Sequence, residues 1–210
     1  MFRLVSAVCT VILAAASVES ATPAMQFLNE LAKAHARSSP GEPLLVLGPV
    51  GDVQPKTISQ LTREAEVVFQ GRVYLLKTYV GSDGRRVLSD YAIREQQLLA
   101  GRSTAAVARA HDFSKPLVLT ALGGELIIDG VKVIATPAAE RPLVDGGEYI
   151  LFLMPSRGGG DRYEVYSSGA FEVQGGRIKP RHAQGEALFS DAFNAPLETV
   201  LNRIQQARLQ

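Results

Sequence analysis

The feature that most constrains the fold is an Asp-Gly dipeptide, Asp129-Gly130, which stands between two apolar stretches. Residues 126–128 precede it and residues 131–134 follow it, and both stretches are rich in leucine, isoleucine and valine. Asp-Gly in this position favours a two-residue hairpin turn, because both central residues of such a turn need a positive φ. The sequence therefore predicts an antiparallel β-hairpin at this point.

Further short strands separated by turn residues are predicted on both sides of this hairpin. They cover residues 67–79, 87–99, 117–122, 149–153, 163–166, 170–173 and 177–179. Sequential hairpins of short strands predict an antiparallel sheet that closes on itself. We expect a small β-barrel rather than a sandwich, because the central strands lack sustained one-sided alternation of polar and apolar residues.

Helices are predicted on both flanks of the strands. Thr22-Pro23 has the capping hydroxyl and the first-turn proline of a helix start, and this helix should end near Arg37. Thr57 caps a second, short helix, and an apolar stripe follows Ala195 in a closing helix. The predicted class is therefore mainly β with flanking helices, an α+β fold.

The N-terminus has the three parts of a secretory signal peptide. Arg3 precedes an uncharged, mostly apolar run at residues 4–16, and small residues lead to a cleavage point between Ser20 and Ala21. The run of 13 residues is shorter than the roughly 20 that cross a hydrocarbon core. We therefore predict an exported protein, periplasmic or extracellular, whose mature chain has no transmembrane segment.

The predicted parts of the chain are the signal peptide at 1–20, a helical appendage with a proline- and glycine-rich linker at 21–56, and a β-barrel domain with its C-terminal helix at 57–210. Residues 44–47, within the linker, have the composition of a short strand. Cys9 is the only cysteine and lies in the signal peptide. The mature domain therefore has no disulfide, thiolate metal site or cysteine nucleophile.

Charge and histidine spacing exclude several classes of partner. The net charge is +1, and the charged residues are well mixed along the chain, which disfavours nucleic acid as a partner. The three histidines, His35, His111 and His182, are far apart, and none has a second ligand at metal-binding spacing. We expect no metal and no cofactor, with His111 and His182 in solvated loops.

Four motifs in a fixed order resemble a known group of proteins. They lie at residues 66–73, at Ser89-Asp90-Tyr91, at residues 147–153 and at residues 169–173. In this order they resemble a family of uncharacterised exported bacterial proteins with an OB-like β-barrel, over about residues 62–179. The resemblance implies a fold and no activity. Exported OB-like inhibitors of metalloproteinases act through an N-terminal cysteine, which the mature chain lacks.

No catalytic set stands out, so we predict a non-enzymatic binding or interaction module of the cell envelope. Tyr79, Arg85, Arg86 and Tyr91, near the first predicted hairpin, are the candidate binding residues for a protein or glycan partner. Tyrosine and arginine are residues that interfaces favour.

The sequence leaves two alternatives to this function open. A hydrolase would use His111 with Asp112, although the chain has no G-x-S-x-G nucleophile elbow. A structural envelope protein would dock through its N-terminal helix.

Overall fold

The computed structural model describes residues 26–48, 54–102, 116–156 and 162–209. Strands dominate these residues and helices are few, which confirms the predicted mainly-β class. The helices are α1 (Gln26–Ser38), α2 (Ile58–Glu64), α3 (Gly185–Leu188) and α4 (Leu197–Arg208). The strands are β1 (Leu44–Gly48), β2 (Val67–Val80), β3 (Val87–Gly101), β4 (Leu117–Leu122), β5 (Gly124–Ile128), β6 (Val131–Pro137), β7 (Glu148–Pro155), β8 (Arg162–Gln174) and β9 (Arg177–Pro180).

By the contacts among its residues the chain divides into two compact units. Among the described residues, the first unit comprises residues 26–48, 79–88 and 122–138, and the second comprises residues 54–78, 89–102, 116–121, 139–156 and 162–209. β2 and β3 contribute residues to both units. The domain boundaries predicted after residues 20 and 56 stay predictions.

Five strands of the larger sheet pair in a ring. The sheet has the order β4-β3-β2-β7-β8-β9, and β4 also pairs with β8. This closing pair is parallel, with Val118 opposite Arg162 and Thr120 opposite Glu164. The prediction of an all-antiparallel sheet is therefore wrong here, because turn residues report only on strands joined by a hairpin and β4 and β8 are far apart in sequence.

Alternation along the strands sorts the apolar side chains onto the two faces of the ring. Val67, Phe69 and Leu151 belong to a buried cluster to which all five ring strands contribute, and this cluster fills the inside. Because successive strand residues point to opposite faces, Val68 and Ile150 belong to a different cluster on the outside. Full burial of each such side chain stabilises the fold by roughly 1.5–3 kcal/mol.

The helices of the second unit pack against this outer cluster. Leu61 from α2 and Ile204 from α4 are fully buried in it. Phe171 on β8 lies at its centre, with its ring centroid 5.7 Å from that of Phe152 and 5.1 Å from that of Phe189, both edge to face. The apolar stripe predicted for the closing helix is thus confirmed as its packing face.

The first unit has its own three-stranded sheet, in the order β1-β6-β5. The predicted Asp129-Gly130 turn joins β5 and β6, with φ values of 48° and 81°. β1 confirms the short strand expected in the linker, and it pairs with β6 in parallel. Leu28 and Ala32 of α1 are fully buried in the same apolar cluster as Val133.

Two strands that were predicted separately are one strand in the structure. The two strands expected on either side of Ser167 and Ser168 form the single strand β8, in which these serines have positive φ values of 46° and 57°. The pairing of β7 with β8 shifts register at this point. The predicted turn at Gly175-Gly176 is confirmed, with φ values of 56° and 74° leading into β9.

The predicted signal peptide, its cleavage point between Ser20 and Ala21, and Cys9 all lie outside the described residues. Export therefore stays a prediction. In the described part of the chain, none of the helices combines the length and the apolar character needed to span a membrane.

Candidate functional site

Asp90 on β3 is a buried carboxylate with partners on three other ring strands. Its side chain is 2% exposed. Thr120 Oγ1 on β4 donates a 2.8 Å hydrogen bond to Oδ1. Lys77 Nζ on β2 and Arg162 Nη2 on β8 lie 3.8 and 3.4 Å from Oδ2. These partners neutralise a charge that would otherwise be costly to bury, and they tie the four strands together.

The other two residues of the Ser-Asp-Tyr motif also make structural contacts. Ser89 Oγ and Thr78 Oγ1 are hydrogen-bonded at 2.9 Å between β3 and β2. Tyr91 points into the inner cluster, and its hydroxyl donates a 3.5 Å hydrogen bond to the carbonyl oxygen of Leu143. Burial raises the pKa of the Tyr91 hydroxyl. The contacts of the motif residues are therefore structural contacts within the protein.

Tyr74 on β2 and Arg94 on β3 form a cation–π pair on the same two strands. The guanidinium Cζ of Arg94 lies 5.5 Å from the centroid of the Tyr74 ring, and Arg94 is exposed. Next to them, Arg72 Nε lies 3.1 Å from Glu95 Oε2, and Arg72 Nη1 donates a 3.1 Å hydrogen bond to the carbonyl oxygen of Gly146. Two arginine side chains are thereby held in place on β2 and β3.

Gly71 allows β2 and β3 to approach closely beneath these side chains. A Cβ at Gly71 would lie 3.0 Å from both the carbonyl oxygen of Arg94 and Cγ2 of Ile93. On β3, Glu95 has a φ of 50°, which interrupts the regular alternation of that strand. The close approach at Gly71 and the irregularity at Glu95 thus both occur at the part of β3 that carries Arg94.

Exposed apolar side chains follow Tyr74 in β2 and occur in the segment before β7. Leu75, Leu76 and Val144 are 47%, 49% and 56% exposed. Asp145 Oδ1 accepts a 2.7 Å hydrogen bond from the N–H of Leu75, which brings Val144 close to β2. We call the following residues the Tyr74 surface: Arg72, Tyr74, Leu75, Leu76, Arg94 and Val144. Tyrosine and arginine beside exposed apolar side chains are typical of protein interfaces.

A second polar cluster surrounds Arg181, whose side chain is 3% exposed. Its Nε donates a 2.7 Å hydrogen bond to the carbonyl oxygen of Arg141, and its Nη1 lies 3.6 Å from Glu140 Oε2. Glu140 also accepts a hydrogen bond from the Ser168 hydroxyl. Burial lowers the pKa of the Arg181 guanidinium, and the charge of Glu140 opposes this effect. Because the cation is buried among protein partners, we assign this cluster a structural role.

A third cluster joins α2 to β8. Glu64 accepts hydrogen bonds from Lys56 Nζ and, at 2.7 Å, from the Tyr166 hydroxyl. The hydrogen bond from Lys56 lowers the pKa of Glu64, and the same bond raises the pKa of Lys56. Both groups are therefore held in their charged forms at neutral pH, unlike groups tuned for proton transfer.

The four predicted binding residues lie in different environments. Arg85 and Arg86 are exposed between β2 and β3, and Tyr79 is half-buried on β2. Tyr91 is only 6% exposed, because the inward face of β3 carries it into the core of the ring. Two of the predicted residues, Arg85 and Arg86, thus lie in one exposed turn, whereas Tyr91 lies in the core. A binding role for these residues stays a prediction.

Asp83 accounts for the conformation of that turn. Its Oδ1 accepts hydrogen bonds from the N–H groups of Arg85 and Arg86 at 3.0 and 3.2 Å, and its Oδ2 accepts one from the Arg86 side chain. Partial burial acts to raise the pKa of Asp83, but these hydrogen bonds hold it below its ordinary value. The Arg86 side chain is therefore engaged within the turn.

His182 was predicted to lie in a solvated loop, and this prediction is wrong. The residue is 6% exposed, and its Nδ1 accepts a 3.1 Å hydrogen bond from the N–H of Gln184. Just after β9, an isolated antiparallel β-bridge joins His182 to Glu140, so this segment is paired with another part of the chain instead of forming a free loop. His35 lies on α1, where the sequence placed it, and its Nε2 is 3.1 Å from the carbonyl oxygen of Glu42.

Metal and hydrolase sites have no further support in the structure. Among the residues that the structure describes, no three His, Cys, Asp or Glu side chains are arranged to hold a metal ion. His111 and Asp112, the residues of the hydrolase alternative, lie outside the described residues. That alternative therefore stays a prediction.

Arg72, Leu76 and Arg94 were not among the binding residues predicted from the sequence. A usable signal was present, because Arg72, Tyr74 and Leu76 are spaced two residues apart in a predicted strand, which is the spacing of one strand face. The pairing of Tyr74 with Arg94 was not accessible in this way, since it depends on the register between β2 and β3.

Comparison of the chain with models of protein families gives no match. Comparison with curated proteins gives no match either. The resemblance drawn from the sequence motifs therefore stays a prediction, and the function has to be argued from the geometry.

Proposed function

We propose that this protein is an exported, non-enzymatic binding module of the cell envelope, which contacts a protein or glycan partner through the Tyr74 surface. The observation that carries the proposal is the grouping of exposed leucines at 75 and 76 with Val144, Tyr74 and the exposed Arg94. Tyrosine and arginine are enriched among the residues that dominate binding energy at interfaces, and the exposed leucines and valine add apolar area that a partner can cover. The polar clusters around Asp90, Arg181 and Glu64 have structural contacts that account for them.

The ring is further proposed to be an OB-like barrel, of the kind implied by the motif resemblance. Numbered in chain order as one to five, the ring strands β2, β3, β4, β7 and β8 pair in the order 1-2-3-5-4-1, with strands three and five parallel. A five-stranded ring is what the OB fold requires, and one face of its strands is a common binding surface. All four resemblance motifs contribute to strands of this ring, since residues 67–73 lie in β2, Ser89-Asp90-Tyr91 in β3, residues 148–153 in β7 and residues 169–173 in β8.

Export rests on the sequence of the first residues. A periplasmic or extracellular location is tested by sequencing the N-terminus of the protein recovered from outside the cytoplasm. We expect Ala21 as the first residue. A protein that keeps its N-terminal residues and stays in the cytoplasm would overturn this part of the proposal.

The binding function is tested by capture of partners with the full, tagged protein after chemical cross-linking of intact cells. Leu76→Asp places a charge within the Tyr74 surface, and Leu209→Asp is the matched control at a residue that is 88% exposed. We expect a specific partner to be lost with Leu76→Asp and kept with Leu209→Asp. Equal recovery with both variants, at equal thermal stability, would exclude this surface.

The absence of enzymatic activity is tested separately. A screen of the purified mature protein against esterase, peptidase and glycosidase substrates should give no turnover. Turnover that disappears in His111→Ala would favour the hydrolase alternative instead.

A further inference from the structure

Arg94 differs from the other cations on this part of the ring. Arg72 faces Glu95, and both Lys77 and Arg162 face Asp90. Within the described residues, Arg94 contacts no carboxylate, and its partner is the ring of Tyr74. The Tyr74 surface therefore presents one guanidinium whose charge is not balanced by a carboxylate contact.

The contact with Tyr74 orients Arg94. A guanidinium next to an aromatic ring loses side-chain freedom but keeps N–H donors directed into solvent, because cation–π attraction does not consume hydrogen-bond donors. A planar guanidinium can form two parallel hydrogen bonds to a carboxylate, which are stronger and more directional than neutral ones. The orientation of the Arg94 guanidinium therefore favours binding of a carboxylate supplied from outside the chain.

The neighbouring side chains favour a protein over a glycan as the source of that carboxylate. Sugars bind by stacking on open aromatic faces, whereas Arg94 already lies against the Tyr74 ring. Leu75 and Leu76, which follow Tyr74 in β2, and Val144 are instead exposed aliphatic side chains. Aliphatic side chains of a protein partner can cover such a surface and exclude water from the ion pair.

We propose that Arg94, held against Tyr74, binds an aspartate or glutamate side chain of a protein partner whose adjacent apolar residues cover Leu75, Leu76 and Val144. This inference rests on the proposed function, since it specifies the partner of the same surface. Tyr74 is a positioning residue in this arrangement, and Arg94 makes the contact.

The test uses the full mature protein and an array of short synthetic peptides. Each peptide has a central Glu or Asp between varied apolar residues, and its matched counterpart has Gln or Asn at the same place. We expect binding of the acidic peptides to exceed that of their amide counterparts by about tenfold or more, as for a charge-assisted bidentate contact. Arg94→Gln should bring the ratio of acidic-peptide to amide-peptide binding down to about one, and Arg94→Lys should reduce this acid-to-amide ratio.

Arg208→Gln is the matched control, because Arg208 is an exposed arginine in the last turn of α4 and does not belong to the Tyr74 surface. It should leave the ratio unchanged. Tyr74→Leu keeps an apolar side chain but removes the ring, and it should lower the ratio while the protein stays folded. Equal binding of acidic and amide peptides, an undiminished ratio in Arg94→Gln, or no peptide binding at all would overturn the inference.

Acidic oligosaccharides form a second arm of the same experiment. Binding of uronic-acid oligosaccharides that depends on Arg94, without binding of any acidic peptide, would contradict a protein partner. If partner capture still depends on Leu76 but the acid-to-amide ratio is one, the inference fails and the proposed function stands. If capture does not depend on Leu76, the proposed function itself fails.

Discussion

The hydroxyl of Thr120 donates a 2.8 Å hydrogen bond to the buried carboxylate of Asp90, and this bond crosses from β4 to β3. Arg162, which begins β8, approaches the same carboxylate to 3.4 Å. β4 and β8 are the two strands whose parallel pairing closes the ring. Asp90 therefore stabilises the ring at the position where strands distant in sequence have to meet.

Asp90→Asn should destabilise the ring by about 2 kcal/mol, because the amide keeps an acceptor for Thr120 but loses the charge that faces Lys77 and Arg162. The effect is limited by the partial exposure of both cations. Urea unfolding of the two proteins measures it.

The matched control for this change is Asp129→Asn. Asp129 is half-exposed, lies 4.0 Å from Lys33 and has a φ of 48°, which asparagine also tolerates. Its replacement should leave stability nearly unchanged. Equal effects of the two substitutions would contradict a special role for Asp90.

The Glu64 cluster should make stability depend on acid pH. Its hydrogen bonds from Lys56 and Tyr166 hold the folded-state pKa of Glu64 below the ordinary 4.5. A depressed carboxyl pKa contributes stability above the unfolded-state value, and this contribution is lost as the pH falls through the folded-state value. The difference in melting temperature between wild type and Glu64→Gln should be full at neutral pH and shrink well below pH 4.5.

The control for this measurement is Glu186→Gln, at an exposed position of α3. The difference in melting temperature between Glu186→Gln and wild type should be small and change little over the same pH range. A Glu64→Gln difference that stays constant down to the lowest pH would show that the cluster does not act through ionisation.

Gln96→Met should stabilise the protein. The side-chain oxygen of Gln96 is buried and has no hydrogen-bond partner among the described residues. Removing such a group while conserving side-chain volume should raise the free energy of unfolding by about 1 kcal/mol. Gln97→Met is the matched control at the exposed neighbouring position and should have little effect. A loss of stability in Gln96→Met would mean that the amide makes a contact essential to β3.

The parts of the fold that could be predicted from the sequence are those encoded locally. Asp129-Gly130 was sufficient for its hairpin because the positive φ values are a property of the dipeptide. Thr57 was recognisable as a helix cap, and the structure adds the reciprocal hydrogen bonds with Gln60 that complete a capping box.

The parts that could not be predicted depend on contacts between distant residues. The parallel closure of β4 on β8 leaves no mark in either strand alone. Tyr91 was selected as a surface residue because a single sequence does not reveal which face of β3 lies inside the ring. The pairing of Arg94 with Tyr74 likewise depends on strand register.

The central claim, that the Tyr74 surface binds a protein partner, is tested most directly by photo-cross-linking in intact cells. A photoreactive amino acid replaces Leu76 in one protein and Leu209 in another, and both positions are exposed leucines. Our account predicts one discrete protein adduct from position 76, which disappears when Arg94→Gln is added, and no such adduct from position 209. No adduct from position 76, or the same adducts from both positions, would contradict it.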